Sequence, residues 1–229
     1  MKRRNMGQGA GRIDREILNA QLRHWENVFS EAEDMFGLEP SEPARMAAGL
    51  FRAEGTKKIL ELGVGQGRDS LFFACSGFSV HALDYAEKSA ATLSEKARQF
   101  GLSGRITVIR HDVREPLPFE NETFDACYSH MLYCMAMTTK ELETLSNEVR
   151  RVLRAYGLNV YTVRHTGDAH FGVGVYRGEG LYETGGFVVH FFSGEMVKRL
   201  AKGYDLVGID EFEEGDLPRK LFRVTMRKR

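Results

Sequence analysis

Cysteine is scarce in this chain. The three present, Cys75, Cys127 and Cys134, are odd in number, sit in apolar surroundings and are never spaced as CxxC. Neither a disulfide framework nor a thiolate zinc site is expected, and no metal is assigned. No apolar run reaches the length of a membrane span, and none follows the basic start MKRR, so no span and no signal peptide are expected and the protein reads as cytoplasmic. An excess charge is also missing: 32 Lys and Arg balance 32 Asp and Glu. Nucleic-acid binders usually carry a basic surplus, so nucleic acid is not an expected partner. The basic clusters MKRR and RKR at the two ends read as solvated tails. There are no internal repeats and no low-complexity segments.

What is there suits one large domain. The 229 residues are 42% hydrophobic and 28% charged, enough apolar material for a sizeable core. Residues 1–12 are polar and glycine-rich and are expected to form a flexible tail. From Ile13 to about Glu33, Ile17, Leu18, Leu22, Trp25, Val28 and Phe29 recur at helical spacing. GLEPSEP at 37–43 breaks that helix, and Ser41 caps a second one starting near Pro43. Residues 13–56 are thus expected to form a helical cap before the main domain, 57–229.

From residue 57 the pattern alternates. KKILEL, FSVHALD, ITVIRHD, FDACYSHM and LNVYTVR read as strands. The helices between them are DSLFFACSG, EKSAATLSEKARQFG and KELETLSNEVRRVLRAYG. Such alternation through short loops predicts an α/β fold with a parallel sheet and right-handed crossovers. The last two strand-like runs, YDLVGIDEFEEG and RKLFRVTMRK, are joined only by the turn GDLP. So short a link requires an antiparallel pair.

Ligands of such sheets lie beyond the carboxyl ends of the strands. There the first strand is followed by Gly63, Gly65 and Gly67. Glycine allows positive φ and close approach to the main chain, and the helix that follows favours an anionic group. Arg68 stands where a dinucleotide fingerprint needs its third glycine, and the Lys of a P-loop is missing. The second strand ends at Asp84, suited to both hydroxyls of a ribose or, alternatively, to a helix N-cap. The third ends at Asp112 and Val113: the carboxylate can accept from an exocyclic amine, and the Val113 N–H can donate to a ring nitrogen.

This combination resembles the class I S-adenosylmethionine-dependent methyltransferases, by motif over about residues 57–165. The run GQGRDSLFFACSGFSVHALD, together with the C-terminal FFSGEMVKRLAKGYDLVGIDEFEEGDLPRKLFRVTMRK, is similar to the tellurite-resistance methyltransferases, which act on chalcogen or thiol acceptors. Two departures are Asp69, where that family usually has Asn, and the long N-terminal segment. The resemblance implies a seven-stranded Rossmann-like sheet, mostly parallel, ending in an antiparallel hairpin with helices on both faces. It implies S-adenosylmethionine as cofactor, with S-adenosylhomocysteine as product. Glu61, Gly63, Val64, Gly65 and Gly67 would surround its methionine half, with Arg68 and Asp69 near the carboxylate and amino groups. Asp84 would hold the ribose and Asp112 and Val113 the adenine, with Tyr85 and Ser129 also among the cofactor-binding residues.

The acceptor is less legible. Ser129, His130 and Tyr133 follow the fourth strand, which in this fold faces the transferable methyl; His130 and Tyr133 are the catalytic candidates, and His130 reads equally as a structural histidine. The glycine-rich stretch 163–180 is expected to be a long loop whose Arg164, His165, His170 and Arg177 reach the acceptor. His190 reads as a core histidine. Trp25 and Phe29, one helical turn apart, would form a lid over a small acceptor. A small-molecule methyltransferase, monomeric or dimeric, is the leading expectation. A protein or RNA methyltransferase and a non-catalytic S-adenosylmethionine-binding protein are the alternatives, and a dinucleotide oxidoreductase is a poor fourth.

Overall fold

The computed structural model describes residues 13–32, 35–215 and 219–229, so the expected flexible tail and the centre of the GDLP turn lie outside the described residues. Asp14 starts α1 (Arg15–Glu31) by accepting from the Glu16 N–H, and the helix buries Leu18, Gln21 and Phe29. Ser41 starts α2 (Glu42–Ala53) by accepting from the Ala44 N–H, with Pro43 in the first turn. The buried stripe of α2, Ala44, Ala47, Ala48 and Phe51, is spaced i, i+3, i+4, i+7, so one face packs on the sheet.

Then come β1 (Lys58–Leu62), α3 (Arg68–Cys75), β2 (Ser79–Asp84), α4 (Glu87–Gln99), β3 (Ile106–Arg110), β4 (Phe124–His130), α5 (Thr139–Val152) and β5 (Leu153–Arg164). The central strands β1 and β4 are buried over most of their length because helices cover both faces of a parallel sheet. After β5 the chain forms β6 (Val175–Gly178), β7 (Leu181–Thr184) and β8 (Phe187–His190). It closes with α6 (Gly194–Leu200), β9 (Tyr204–Glu214) and β10 (Arg219–Lys228). The main sheet has seven strands in the order β3-β2-β1-β4-β5-β10-β9. The first five are parallel, while β10 is antiparallel to both β5 and β9, as the short final connection requires. One core face gathers Phe51, Phe73, Phe78 and Leu93; the other gathers Leu142, Leu145, Val149 and Phe192.

Two expectations are corrected. The helix read as running to Gly157 stops at Val152, and Leu153 already pairs with Phe124 of β4. Tyr156 takes a left-handed conformation (φ 62°), and a side chain at Gly157 would meet the Asp125 carbonyl oxygen at 2.9 Å. Sheet pairing thus takes over from the helical sequence preference at its last turn.

The expected loop after β5 contains a three-stranded antiparallel meander, β6-β7-β8. Its second turn, Gly185–Gly186, has positive φ at both residues, as the tightest hairpins require. Strands of four residues are too short for an alternating pattern to stand out. The meander meets α1: Gln21 Nε2 donates to the Gly186 carbonyl, while the Val188 N–H donates to Gln21 Oε1. The Gln21 side chain thereby continues the β8 edge.

Candidate active site

The strand order reverses between β1 and β4, and a crevice opens beyond the carboxyl ends of the strands at that point. It holds a cavity of about 600 Å³, within the range of small-ligand sites. The walls come from α1, the segment before α2, the glycine turn, the ends of β2, β3 and β4, and the tip of the β9–β10 hairpin.

The three glycines of the turn serve different ends. At Gly67 (φ 87°) a Cβ would lie 2.4 Å from Leu93 Cδ1, so this glycine lets α3 and α4 pack together. At Gly63 a Cβ would meet Leu132 at 2.9 Å. Only at Gly65 (φ 51°) would a Cβ meet no clash, its nearest neighbours being Phe29 and Phe36 in ordinary contact at 3.8 Å. The backbone a ligand can approach is therefore that of Gly65, beneath aromatic rings of the N-terminal segment.

Asp84 braces this turn from β2. Its Oδ2 accepts from the Gly65 N–H and its Oδ1 from the Ala86 N–H, both at 2.9 Å. Burial pushes its pKa up to about 6, against the pull of those backbone hydrogen bonds. The N-cap of α4, Ala86, has no capping side chain. Glu26 of α1 supplies it, accepting from Glu87 N at 2.5 Å and Lys88 N at 3.2 Å. Behind the turn Glu61 is buried and accepts from Ser70 Oγ; burial and the neighbouring Asp69 charge raise its pKa well above the ordinary range.

Asp69 is turned toward the protein. Its two oxygens accept from the Ser41 N–H and the Ser41 hydroxyl, each at 2.7 Å, and Tyr128 lies 3.3 Å away. It lines the cavity while holding the start of α2. Arg68 donates to the Phe36 carbonyl and lies 5.7 Å from that ring. Val64 and the half-buried Tyr85 are on the wall; desolvation and the Asp84 charge raise the Tyr85 phenol.

Asp112 and Val113 line the cavity at the end of β3. Arg114 grips both oxygens of Asp112, at 2.7 to 3.1 Å, and reaches Asn19 of α1 at 2.8 Å. Burial alone would raise the Asp112 pKa, yet these bonds bring it below the usual value. Helix α1 is thus tied down by Asn19, Gln21 and Glu26 to three separate elements. Leu18, Trp25 and Phe29 face the cavity, with the Trp25 and Phe29 rings stacked 5.3 Å apart.

His130 reaches the cavity at the end of β4. Its Nδ1 lies 2.8 Å from Thr162 Oγ1, and its Nε2 lies 3.3 Å from Glu214 Oε1. Glu214 ends β9 and lies 4.0 Å from Arg68. Burial pushes its pKa up, but the His130 hydrogen bond and the charges of His130, Arg68 and Arg219 bring it below the ordinary carboxylate value.

Other sequence candidates lie elsewhere. Tyr133 is fully buried, stacked 4.4 Å from Tyr161, because its side chain points into the core rather than along the strand ends. Ser129 is buried within the sheet between Leu62 and Tyr161 and does not line the cavity. Arg164 is paired with the buried Asp168, and His165 stacks 4.3 Å from Phe222. Arg177 is paired with Glu183 across the meander. None of these three reaches the cavity: the stretch expected as an acceptor loop is folded onto its own partners. His190 is buried, with Nδ1 2.9 Å from the Met137 carbonyl.

The sequence reading missed Glu214, His111, Gln21 and the apolar wall of Met35, Phe36, Met131 and Met135. In EFEEG nothing distinguishes the third acid from its neighbours, and the methionines carry no spacing signal.

The residues fit an adenosine bearing an amino-acid tail. Carboxylates stand at the ends of two adjacent strands, and the turn beside them is open only at Gly65. His111 Nε2 is buried at the cavity with no hydrogen-bond partner among the described residues.

Residues 59–157 match the family model of a methyltransferase domain. No curated protein matches the chain. Among solved structures, the 1,6-didemethyltoxoflavin-N1-methyltransferase of Burkholderia thailandensis, with bound 1,6-didemethyltoxoflavin and S-adenosylhomocysteine, is 19% identical. It has a TM-score of 0.73, over 93% of this chain and 89% of that one. TehB of Haemophilus influenzae is 19% identical, with a TM-score of 0.67 over 90% of this chain and 67% of that one. The N-methyltransferase NodS of Bradyrhizobium japonicum, in complex with S-adenosylhomocysteine, is 11% identical, with a TM-score of 0.66 over 93% and 98%. Residues 59–157 thus match a methyltransferase domain, and the chain shares the fold of these methyltransferases.

Proposed function

We propose that this chain is an S-adenosylmethionine-dependent methyltransferase that acts on a small-molecule acceptor, bound beneath α1. The observation that carries the reading is the cavity itself: α1 lies across it, tied by Asn19, Gln21 and Glu26, and leaves about 600 Å³ for both ligands. The zero net charge supports the same reading against an RNA substrate. The resemblance to 1,6-didemethyltoxoflavin-N1-methyltransferase and TehB is consistent with it, at the level of the fold.

S-adenosylmethionine supplies a methyl group already activated on a sulfonium, so the protein's work is chiefly positioning. Asp84 is the ribose residue in this reading, since each of its oxygens has a lone pair beyond those used by Gly65 and Ala86. Asp112 and the Val113 N–H read the adenine edge, and Arg68 lies near the amino-acid tail. Asp69 acts from behind, through Ser41, by fixing the segment that carries Met35 and Phe36. Trp25, Phe29 and Phe36 exclude water from the reacting end.

The test is calorimetry with S-adenosylhomocysteine, followed by tritium transfer from labelled S-adenosylmethionine to a panel of thiols, chalcogen oxyanions, amines and phenols. Binding with transfer to a small acceptor is expected. Binding without transfer to any of them would defeat the small-acceptor reading.

A further inference from the structure

We infer that Glu214 is the acceptor-binding carboxylate of this site, that it takes a hydrogen bond from an N–H, O–H or S–H of the acceptor, and that His130 positions it. The inference rests on the small-acceptor reading above and names the class of acceptor.

Thr162 of β5, beside His130, is fully buried. Its Oγ1 accepts from the Met131 N–H at 3.0 Å. Its own hydrogen therefore needs an acceptor, and His130 Nδ1 lies 2.8 Å away. Nδ1 then carries no hydrogen, and in the neutral ring the proton sits on Nε2, which lies 3.3 Å from Glu214 Oε1. Both ring nitrogens are thus used by the protein. His130, the residue a sequence reading nominates as base, has no lone pair left for an acceptor.

Glu214 does. Its contacts with His130 and Arg68 both fall on Oε1, and Oε2 has no hydrogen-bond partner among the described residues. The side chain lines the same cavity as Met131, Met135 and Phe36. The groups facing Glu214 are the His130 ring from β4 and the charged Arg68 from α3 and Arg219 from β10. Together they hold it ionised, the state that accepts hydrogen bonds and donates none. A hydrogen-bearing nucleophile against an apolar methionine wall matches one anionic acceptor at its end. A nucleophile that has gained a methyl group must shed that hydrogen: the X–H bond breaks, its electron pair stays on X, and the new O–H bond forms at Glu214.

The test has two arms. Nitrogen-15 NMR of the full chain is expected to show His130 as the Nε2–H tautomer. Thr162→Val should mix the tautomers and Thr162→Ser restore them; an Nδ1–H ring in the wild type overturns the proposal. In the second arm, benzimidazole, phenol and thiophenol are assayed beside their N-, O- and S-methyl twins. Transfer to at least one donor-bearing member is expected, and none to the twins. Glu214→Gln should cut kcat/KM at least tenfold while S-adenosylhomocysteine affinity stays within twofold. Unchanged kcat/KM in Glu214→Gln, or no transfer to any donor-bearing member, overturns it. Failure of the wild type to bind S-adenosylhomocysteine would instead refute the cofactor assignment, a distinguishable result.

Discussion

Gly67→Ala should cost this protein stability for a reason that can be separated from ligand binding. Two contributions are expected. A left-handed backbone (φ 87°) disfavours any Cβ by about 1–2 kcal/mol. The new methyl would also sit 2.4 Å from Leu93 Cδ1, and Leu93 is fully buried, so it has no free space to move into. Overpacking of that kind costs roughly 1–3 kcal/mol, for a total of about 2–5 kcal/mol and a fall in Tm on the order of 10 °C.

The control is Gly65→Ala, where the Cβ meets nothing closer than 3.8 Å and only the backbone contribution remains. Thermal and urea unfolding of both variants should therefore rank Gly67→Ala well below Gly65→Ala. S-adenosylhomocysteine calorimetry should show a clear affinity loss in Gly65→Ala, whose methyl enters the cavity under Phe29 and Phe36. Leu93→Ala closes the cycle by removing the clash while leaving the strain. The double variant should be more stable than the sum of the single losses by the overpacking share. Additivity within about 0.5 kcal/mol, or equal stability of the two glycine variants, would refute the division of labour among these glycines.

Three further outcomes are expected. Gln21→Ala removes both hydrogen bonds to β8, so hydrogen exchange at Val188 N–H should accelerate and stability fall by about 1–3 kcal/mol. Asp84 has a folded pKa raised from 3.8 to about 6, so its proton favours the folded state: that stability is complete below pH 3.8 and is lost as pH rises to about 6, a swing of roughly 3 kcal/mol. S-adenosylhomocysteine should bind more tightly as pH rises through 6 in the wild type, and Asp84→Asn should remove that pH dependence along with part of the affinity. Arg164→Ala breaks the pair with buried Asp168 and should lower Tm while leaving S-adenosylhomocysteine affinity unchanged, since Arg164 does not reach the cavity.

Local chemistry carries a long way in this chain. Alternating strands and helices, the GDLP link and Ser41 before Pro43 follow from periodicity, chain reach and capping, which act over a few residues. The ends of β1, β2 and β3 are equally local, because in a parallel sheet the residue after each strand is already at the ligand edge. That places Gly65, Asp84, Asp112 and Val113 at one cavity without any knowledge of packing.

What lay beyond the sequence depends on pairs far apart along it. Glu214 and His130 are 84 positions apart, and Gln21 meets β8 across 167. No spacing rule links such residues; the path of the β9–β10 hairpin and the seat of α1 decide them. The same holds for the misplaced candidates. Tyr133 looked catalytic because it follows β4, but the chain there turns its ring onto Tyr161, where apolar burial outweighs a place at the cavity. The run from Arg164 to Arg177 looked like an acceptor loop because its strands were too short to read, and Asp168 and Glu183 claim its arginines. Thus the sequence alone determined the fold and which strand ends line the cavity, where each residue's position along its own strand sets its place. Tertiary structure decided which carboxylate stands beside His130 at the cavity, because that depends on residues far apart along the chain.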